Sequence, residues 1–467
     1  MTEQADSSPP GVRVANGVLI LCHLFALAWL LYAVLSHKPL CHKLVFAAAA
    51  VLLLALLKLA PHARIIAALI LAGFFGGLYL AEIALSMLDP VRARQEAIRK
   101  VARERGVPFD SRTRLQVITD LRKRNIRAYP AFYPFRLLDS PLSVEGVDTI
   151  PVSGVARTVT VSCNEGGQYL TFRTDELGFP NPPGIWLKGR ADVAIVGDSV
   201  AVGECVAPAD SIADQLRKRY PDTVTLGSGG NGPLLELAAL KEYLPGLEPE
   251  RVLWFFFEGN DMANLEEEKQ NPILIRYLEP RFRQGLPRRQ EALNEALATY
   301  LETAIQAEGV KREDGLASIT GFLFLRHLRE LIWNRLDVVF TMDRPRGDFA
   351  TFARVLREAR RTVESWGGQL IVVYLPAPFR YPDQHQFSKS SRRLLDHTRA
   401  GVLGVTRELG IPVIDATRSF PDAPGNAEFF YPYFAHYTPE GYRAVGRTIL
   451  DGLGDAKFRA SSEENRP

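Results

Sequence analysis

Cysteine is scarce and charge is almost balanced in this chain of 467 residues. The four cysteines, Cys22, Cys41, Cys163 and Cys205, are too few for a disulfide framework and lack the paired short spacing of a zinc site. Lysine and arginine number 56 against 53 aspartates and glutamates, a net charge of +3. This balance disfavours a nucleic-acid partner, since such proteins use a strongly basic face. With 47% hydrophobic residues, the composition also excludes collagen-like and wholly disordered chains.

The apolar residues are concentrated near the start of the chain. Residues 17–88 are almost continuously apolar, and roughly 20 such residues are needed to cross the hydrocarbon core of a bilayer. We therefore predict a transmembrane region of about three helices, near 17–36, 44–60 and 65–88. The middle helix is short for this purpose. A cleaved signal peptide and a buried hairpin of core helices are the alternatives, and the apolar region is longer and more segregated than either requires.

The charges beside this region favour one orientation but do not fix it. Basic residues follow the third helix, and the positive-inside tendency would keep them in the cytoplasm; they are Arg92, Arg94, Arg99, Lys100, Arg103 and Arg105. Long domains, however, are translocated largely regardless of charge. Glu82 within the third helix is costly in lipid, so we expect it to face other helices or the membrane interface.

The rest of the chain predicts an α/β domain that follows two connecting segments. Residues 89–129 have the spacing of an amphipathic helical linker, and residues 130–190 have the turn and β-branched clusters of a small strand-rich lead-in. From 191 to 455, apolar strand-like runs alternate with segments of helical length, which indicates a parallel sheet covered on both faces. We also predict a helical insertion at about 263–345, an N-terminal tail over 1–16 and a disordered tail over 456–467.

Polar residues follow three consecutive strands of the predicted sheet. Ser199 comes in the turn Gly197-Asp198-Ser199 directly after the first strand, Gly230 lies in the glycine-rich end of the second, and Asn260 follows the third. His436 precedes the last helix. A serine before a helix is more often a cap and a lone histidine is usually structural. The carboxyl ends of parallel strands meet at one edge, however, so we expect these residues to form one set.

This set of residue types suits acyl transfer. A serine hydroxyl needs an imidazole to remove its proton during attack, and His436 is the predicted base. The backbone N–H groups of Ser199 and Gly230 and the amide of Asn260 would stabilise the developing oxyanion. The glycine-rich turn lacks the lysine of a phosphate-binding loop and the spacing of a dinucleotide site. We therefore expect no cofactor: neither a nucleotide, nor a flavin, nor a metal.

Ser199, Gly230, Asn260 and His436, in this order and placement, resemble the four marker residues of the SGNH (GDSL-like) hydrolase superfamily. The resemblance covers roughly residues 190–453. It implies a flavodoxin-like three-layer α/β fold, an extracytoplasmic catalytic domain and ester hydrolysis or acyl transfer without metal. The upstream segment Arg173–Phe179 is similar to the lead-in of membrane-anchored bacterial members, which are often associated with cell-envelope polysaccharide.

One position departs from this family's pattern. Members usually carry an aspartate two or three residues before the histidine, where this chain has Tyr433 and Phe434. Asp422 or Asp415 would then orient the imidazole from the preceding loop, or the site would work as a Ser–His dyad, or activity would be reduced or lost. Asp198 is expected to hold its turn through local hydrogen bonds.

The sequence thus predicts a serine esterase or deacylase acting on an acylated envelope glycan or lipid. We expect a multi-pass protein of the inner (cytoplasmic) membrane with contacts to envelope polysaccharide machinery. A polysaccharide O-acyltransferase with the same chemistry and a non-catalytic glycan-binding or assembly component are the alternatives. Cys163 and Cys205 flank the first sheet strand. They either form a disulfide or remain two buried thiols, and the sequence favours neither.

Overall fold

The computed structural model describes residues 9–35, 40–87, 90–313, 321–329, 331–332, 347–381, 389–420, 428–431 and 436–454. Contacts divide the chain into two units. The first comprises Met1–Ala93 with Glu313–Val338, and the second comprises Arg94–Arg312 with Val339–Pro467. The predicted tail 456–467 lies outside the described residues.

Three apolar helices form most of the first unit: α1 (Pro10–Leu35), α2 (Leu40–Leu56) and α3 (Pro61–Met87). Among the described residues, α1 and α3 are long and apolar enough to cross a membrane, whereas α2 has 17 residues. Small side chains such as Ala26 and Ala50 pack between the helices, while large ones point outward, with Leu21 and Leu80 68% and 69% exposed. An apolar exterior over a small-residue interior is the pattern of helices in lipid and supports membrane association.

Glu82 of α3 is fully buried within the first unit. Its carboxylate accepts hydrogen bonds from the backbone N–H groups of His327 (3.0 Å) and Leu328 (2.8 Å), and Nδ1 of His327 lies 2.9 Å away. The ring of Phe324 packs edge-on against Trp29 of α1. Part of the predicted insertion therefore packs with the apolar helices and satisfies an acidic group that would be costly in lipid.

The second unit begins within helix α4 (Pro90–Glu104) and continues with helix α5 (Arg114–Lys123) and a strand-rich segment. Helix α5 starts with a capping box formed by Thr113 and Gln116. Five short strands follow: β1 (Ala128–Pro130), β2 (Leu142–Val144), β3 (Val147–Thr149), β4 (Val159–Val161) and β5 (Thr171–Arg173). Strands β2 and β3 form a hairpin, and the other three form a small sheet in the order β1-β4-β5.

A five-stranded parallel sheet forms the centre of the second unit, in the order β10-β9-β8-β6-β7. Its strands are β6 (Val193–Val196), β7 (Thr223–Thr225), β8 (Arg251–Phe257), β9 (Gln369–Leu375) and β10 (Val413–Asp415). The helices are α6 (Ser199–Val202), α7 (Ile212–Arg217), α8 (Pro233–Tyr243), α9 (Asp261–Glu268), α10 (Gln290–Glu313), α11 (Phe349–Glu364), α12 (Lys389–Glu408) and α13 (Pro439–Gly454).

Apolar side chains of the sheet alternate between two cores. Trp254 and Phe256 of β8 join one core with α8 and α11, whereas Leu253 and Phe255 join the other with α7 and α13. Successive side chains of a strand point to opposite faces, so a continuous apolar run buries residues on both sides. The predicted three-layer α/β fold is confirmed.

One predicted helix is divided in the structure. The segment 208–219 has the length of a single helix, but in the structure a 3₁₀ turn at Pro208–Asp210 is followed by the separate helix α7. The division falls at Ser211, whose side chain accepts a hydrogen bond from the backbone N–H of Asp214. Serine in this position caps a new helix rather than continuing one.

Candidate active site

The marker residues lie where the strand order reverses. The chain passes from β6 to β7 on one side and then to β8 on the other, so β6 lies between them. Ser199 begins α6 after β6, Gly230 follows β7 and Asn260 follows β8. Ligands of such sheets bind at this reversal, outside the carboxyl ends of the strands.

Asp198 shapes the turn that presents Ser199. Its Oδ1 accepts a hydrogen bond from the backbone N–H of Val200 at 2.9 Å, which caps α6. The side chain is 1% exposed, and this burial raises the pKa of Asp198 to about 6. The residue thus holds the turn through a local hydrogen bond, the role expected for it.

Gly230 has a backbone conformation and surroundings that require glycine. Its φ of 72° lies in the left-handed region, and a Cβ atom would lie 2.6 Å from the ring of Phe135. Its carbonyl oxygen accepts a hydrogen bond from Nδ2 of Asn264. No described residue accepts a hydrogen bond from the backbone N–H of Gly230 or Ser199, which leaves both groups able to bind an oxyanion.

Ser199, Gly230, Asn260 and His436 all line one cavity of about 460 Å³. The described residues include no hydrogen bond between the Ser199 hydroxyl and the imidazole. Catalytic hydrogen bonds are often long in ligand-free sites and shorten when substrate binds. The structure therefore gathers the four marker residues around one space, with the serine hydroxyl and the imidazole not yet bonded.

Carboxylates surround His436. Its Nδ1 lies 3.0 Å from Oε1 of Glu165, and its Nε2 lies 3.7 Å from Oε2 of Glu204. Glu204 in turn accepts a hydrogen bond from the hydroxyl of Tyr133 at 2.7 Å. Burial alone would lower the pKa of His436, but the negative charges of Glu165, Glu204 and Asp198 outweigh burial and raise that pKa to about 9.

Glu165 is the residue that sequence reasoning missed. It lies in the loop between β4 and β5, 271 positions before the histidine it contacts, and it is 5% exposed. A disulfide joins Cys163 to Cys205, which resolves the question that the sequence left open. That bridge was the available signal, because joining Cys163 to the segment after Ser199 brings the nearby Glu165 to the site.

Of the two predicted orienting acids, the structure describes only Asp415. Asp415 ends β10, where its carboxylate accepts hydrogen bonds from the Arg399 guanidinium and from both the hydroxyl and the backbone N–H of Thr417. Those bonds occupy both of its oxygens, and Glu165 takes the position beside Nδ1 of His436. Asp422, Tyr433 and Phe434 lie outside the described residues.

Three possible metal donors come together beside the imidazole. Ligand atoms of Glu165, Cys205 and His436 lie within 4.8 Å of one another. The sulfur of Cys205 is bonded to Cys163, however. The group therefore supplies one carboxylate and one imidazole, fewer than the three protein ligands of catalytic zinc sites.

A doubly wound sheet that presents serine, glycine, asparagine and histidine at its carboxyl edge defines an SGNH-type hydrolase. Residues 195–444 match the GDSL-like lipase/acylhydrolase family, and the chain belongs to it. Members of this family hydrolyse ester bonds, so the protein is an ester hydrolase.

Solved structures and curated proteins give two further comparisons. The chain is similar to a lipase/acylhydrolase from Enterococcus faecalis (15% identity, covering 56% of this chain and 94% of that chain, TM-score 0.31). It is also similar to an acetylxylan esterase mutant from Geobacillus stearothermophilus (14% identity, 57% and 94% covered, TM-score 0.30). A GDSL-like lipase from Bacteroides thetaiotaomicron gives 9% identity, 57% and 89% coverage and a TM-score of 0.31. No curated protein matches the chain.

Proposed function

We propose that this protein is a membrane-anchored serine esterase or deacylase, which removes acyl groups from an envelope glycan or lipid through an acyl-enzyme. The observation that carries this proposal is the shared cavity lined by Ser199, Gly230, Asn260 and His436. A nucleophile, a base and oxyanion donors around one space are what attack on an ester carbonyl requires.

The first half-reaction acylates the enzyme. Oγ of Ser199 attacks the ester carbonyl carbon while Nε2 of His436 accepts the hydroxyl proton. The carbonyl oxygen becomes negatively charged and accepts hydrogen bonds from the backbone N–H groups of Ser199 and Gly230 and from the Asn260 amide. The intermediate then collapses: the bond to the substrate alcohol breaks, the alcohol takes the proton from His436, and the acyl group stays on Ser199.

The second half-reaction regenerates the serine. Water attacks the acyl carbonyl carbon while His436 accepts one of its protons. The same donors stabilise the second intermediate, which releases the carboxylic acid as Oγ of Ser199 recovers the proton from the imidazole. No further co-reactant is needed for the balance of this cycle.

We place the first unit in the inner membrane and the hydrolase unit on the extracytoplasmic side. The two long apolar helices, α1 and α3, support insertion. The disulfide between Cys163 and Cys205 supports the outward placement, because disulfides persist in oxidising compartments and are rare in the cytosol. The basic segment after α3 favours the opposite orientation. We give the disulfide more weight than the charge of that segment.

Our choice of substrate class is based on the resemblance of Arg173–Phe179 to the lead-in of membrane-anchored bacterial family members. An acylated glycan or lipid of the envelope is the ester that an enzyme in this location would meet. Envelope polysaccharide machinery is the corresponding partner.

Active-site labelling tests the catalytic proposal. A fluorophosphonate probe should label the full-length protein at Ser199, and labelling should disappear in Ser199→Ala and in His436→Ala. Strong labelling of the Ser199→Ala protein, or none of the wild type, would refute the serine mechanism.

Protease accessibility tests the location. Protease added to intact spheroplasts should degrade the hydrolase unit and leave a fragment that contains the apolar helices. Complete protection before lysis, with degradation after it, would place the unit in the cytoplasm and exclude an envelope substrate.

A further inference from the structure

The charge partner of His436 does not come from the sheet. Oε1 of Glu165 lies 3.0 Å from Nδ1 of the imidazole, and Glu165 belongs to the loop between β4 and β5 of the lead-in. Its other oxygen, Oε2, is buried and has no hydrogen-bond partner among the described residues. The contact with His436 is therefore the main interaction that stabilises this carboxylate.

A buried carboxylate with so few partners is costly, because water would solvate it better. The loop would gain free energy by turning Glu165 outward unless other contacts hold it. Two residues before Glu165, Cys163 is bonded to Cys205, and the sulfur of Cys205 lies 3.3 Å from Nδ1 of His436. The covalent bond thus fixes the loop beside the imidazole.

Further contacts close the loop over the site. The backbone N–H of Leu170 donates to the carbonyl oxygen of Cys163 at 3.1 Å. Gly166 packs against Tyr431, where a Cβ atom would lie 2.8 Å from the hydroxyl oxygen. That hydroxyl donates to the carbonyl oxygen of Cys205 at 3.2 Å. The loop is therefore held both by the disulfide and by packing against the segment next to His436.

We propose that Glu165 is the positioning residue for His436 and that the Cys163–Cys205 disulfide holds it in place. The catalytic apparatus on the sheet is then completed by a loop of the lead-in, in place of the acid that usually precedes the histidine in this family. This inference rests on the proposed roles of Ser199 and His436.

The proposed role follows from histidine chemistry. A carboxylate beside Nδ1 keeps the proton on that nitrogen, so the lone pair of Nε2 is available to accept the proton of Ser199. The negative charge also stabilises the imidazolium formed during attack. Glu165 does not itself accept a proton in the cycle, and the disulfide stays oxidised throughout.

The pH dependence of turnover separates this role from a purely structural one. Burial lowers and the nearby carboxylates raise the pKa of His436, to about 9, and the base must be neutral to act. For 4-nitrophenyl acetate, kcat/KM of the full-length protein should therefore rise with pH through a midpoint near 9 and level off above that pH. The charges that act on the imidazole are those of Glu165, Glu204 and Asp198. Arg105, which lies over the ring of Tyr431, is the nearby cation.

Glu165→Gln removes one of these charges and leaves the others. Its rising limb should move to lower pH by roughly one unit or more, and its plateau should fall by about 10²- to 10⁴-fold. Glu165→Asp keeps the charge and should recover part of the plateau. Glu145→Gln, a change of an exposed acid in the same lead-in that pairs with Arg289, is the matched control and should change neither.

The disulfide is tested by a double-mutant cycle. Replacing Cys163 and Cys205 together by alanine avoids a free thiol beside His436 and should lower kcat by about tenfold or more. In the Glu165→Gln background, the same replacement should lower kcat by less than about twofold, because the carboxylate that the disulfide holds in place is already absent.

Each result bears on a separate claim. A wild-type pH profile and plateau in Glu165→Gln, with Ser199 still labelled by fluorophosphonate, would overturn the role of Glu165 and leave the serine mechanism intact. Equal losses in the two backgrounds would show that the disulfide does not act through Glu165. Failure of Ser199 labelling in the wild type would instead refute the proposed function.

Discussion

The sheet edge and the loop that carries Glu165 contribute to the same site in different ways. Ser199, Gly230 and Asn260 follow β6, β7 and β8, whose parallel register aligns Ile195 with both Thr225 and Leu253. These strands are buried on both faces. The loop lies between two strands of three residues each and is held beside His436 by one disulfide.

The site therefore contains one part that is fixed by the packing of a whole sheet and another that is fixed by one disulfide and a few local contacts. A side chain at the end of a buried strand is positioned by the whole sheet. A side chain on a distant loop needs a dedicated constraint, since closing that loop costs conformational entropy. Substitutions in the two regions should therefore change different properties of the protein, and by different amounts.

The largest loss of activity is expected when His436 is replaced. His436→Ala removes the proposed base for Ser199, so kcat should fall by roughly 10⁴-fold or more with the fold retained. Steady-state hydrolysis of 4-nitrophenyl acetate measures it, and circular dichroism checks the fold. A loss below about tenfold would mean that another group serves as the base.

Loss of the proposed oxyanion donor Asn260 should have the next largest effect on kcat. Asn260→Ala should lower kcat by about 10²- to 10³-fold and leave KM nearly unchanged, because the amide acts on charge that develops in the transition state. The same assay with full substrate saturation separates the two constants. A raised KM with unchanged kcat would show that Asn260 binds substrate in the ground state only.

Removal of the disulfide should affect the loop and spare the sheet. The Cys163→Ala/Cys205→Ala protein should lose about 2–4 kcal/mol of unfolding free energy in urea. Hydrogen exchange should accelerate between β4 and β5 while β6 and β8 stay protected. Uniformly faster exchange through the central sheet would contradict the separation of the two regions.

The smallest effect on activity is expected at Asp415. Its carboxylate bonds to Arg399 and Thr417, so Asp415→Asn should cost about 1 kcal/mol of stability and change kcat by less than about twofold. Thermal unfolding and the ester assay measure the two quantities. A large loss of kcat at unchanged stability would return Asp415 to the site and weaken the case for Glu165.

The central sheet was predictable because its residues act locally. Continuous apolar runs such as Val252–Phe257 encode buried strands, and the polar residues after them mark the sheet edge. The same logic placed Ser199, Gly230 and Asn260 at one edge and assigned the family.

Glu165 was not predictable from local pattern, because its contact with His436 spans 271 positions and depends on the pairing of Cys163 with Cys205. Asp415 lies much closer to His436 in sequence, yet its oxygens accept hydrogen bonds from Arg399 and Thr417. The broken helix at Ser211 shows a third limit, since a capping hydrogen bond overrides helical periodicity.

Trapping the acyl-enzyme tests the central claim most directly. The full-length protein, mixed with 4-nitrophenyl acetate, quenched in acid and digested, should yield a peptide acetylated at Ser199, which the Ser199→Ala protein should lack. This acetyl group should turn over in the wild type and accumulate when deacylation is slowed. Acetylation at another residue, or hydrolysis with no acylated serine, would contradict it.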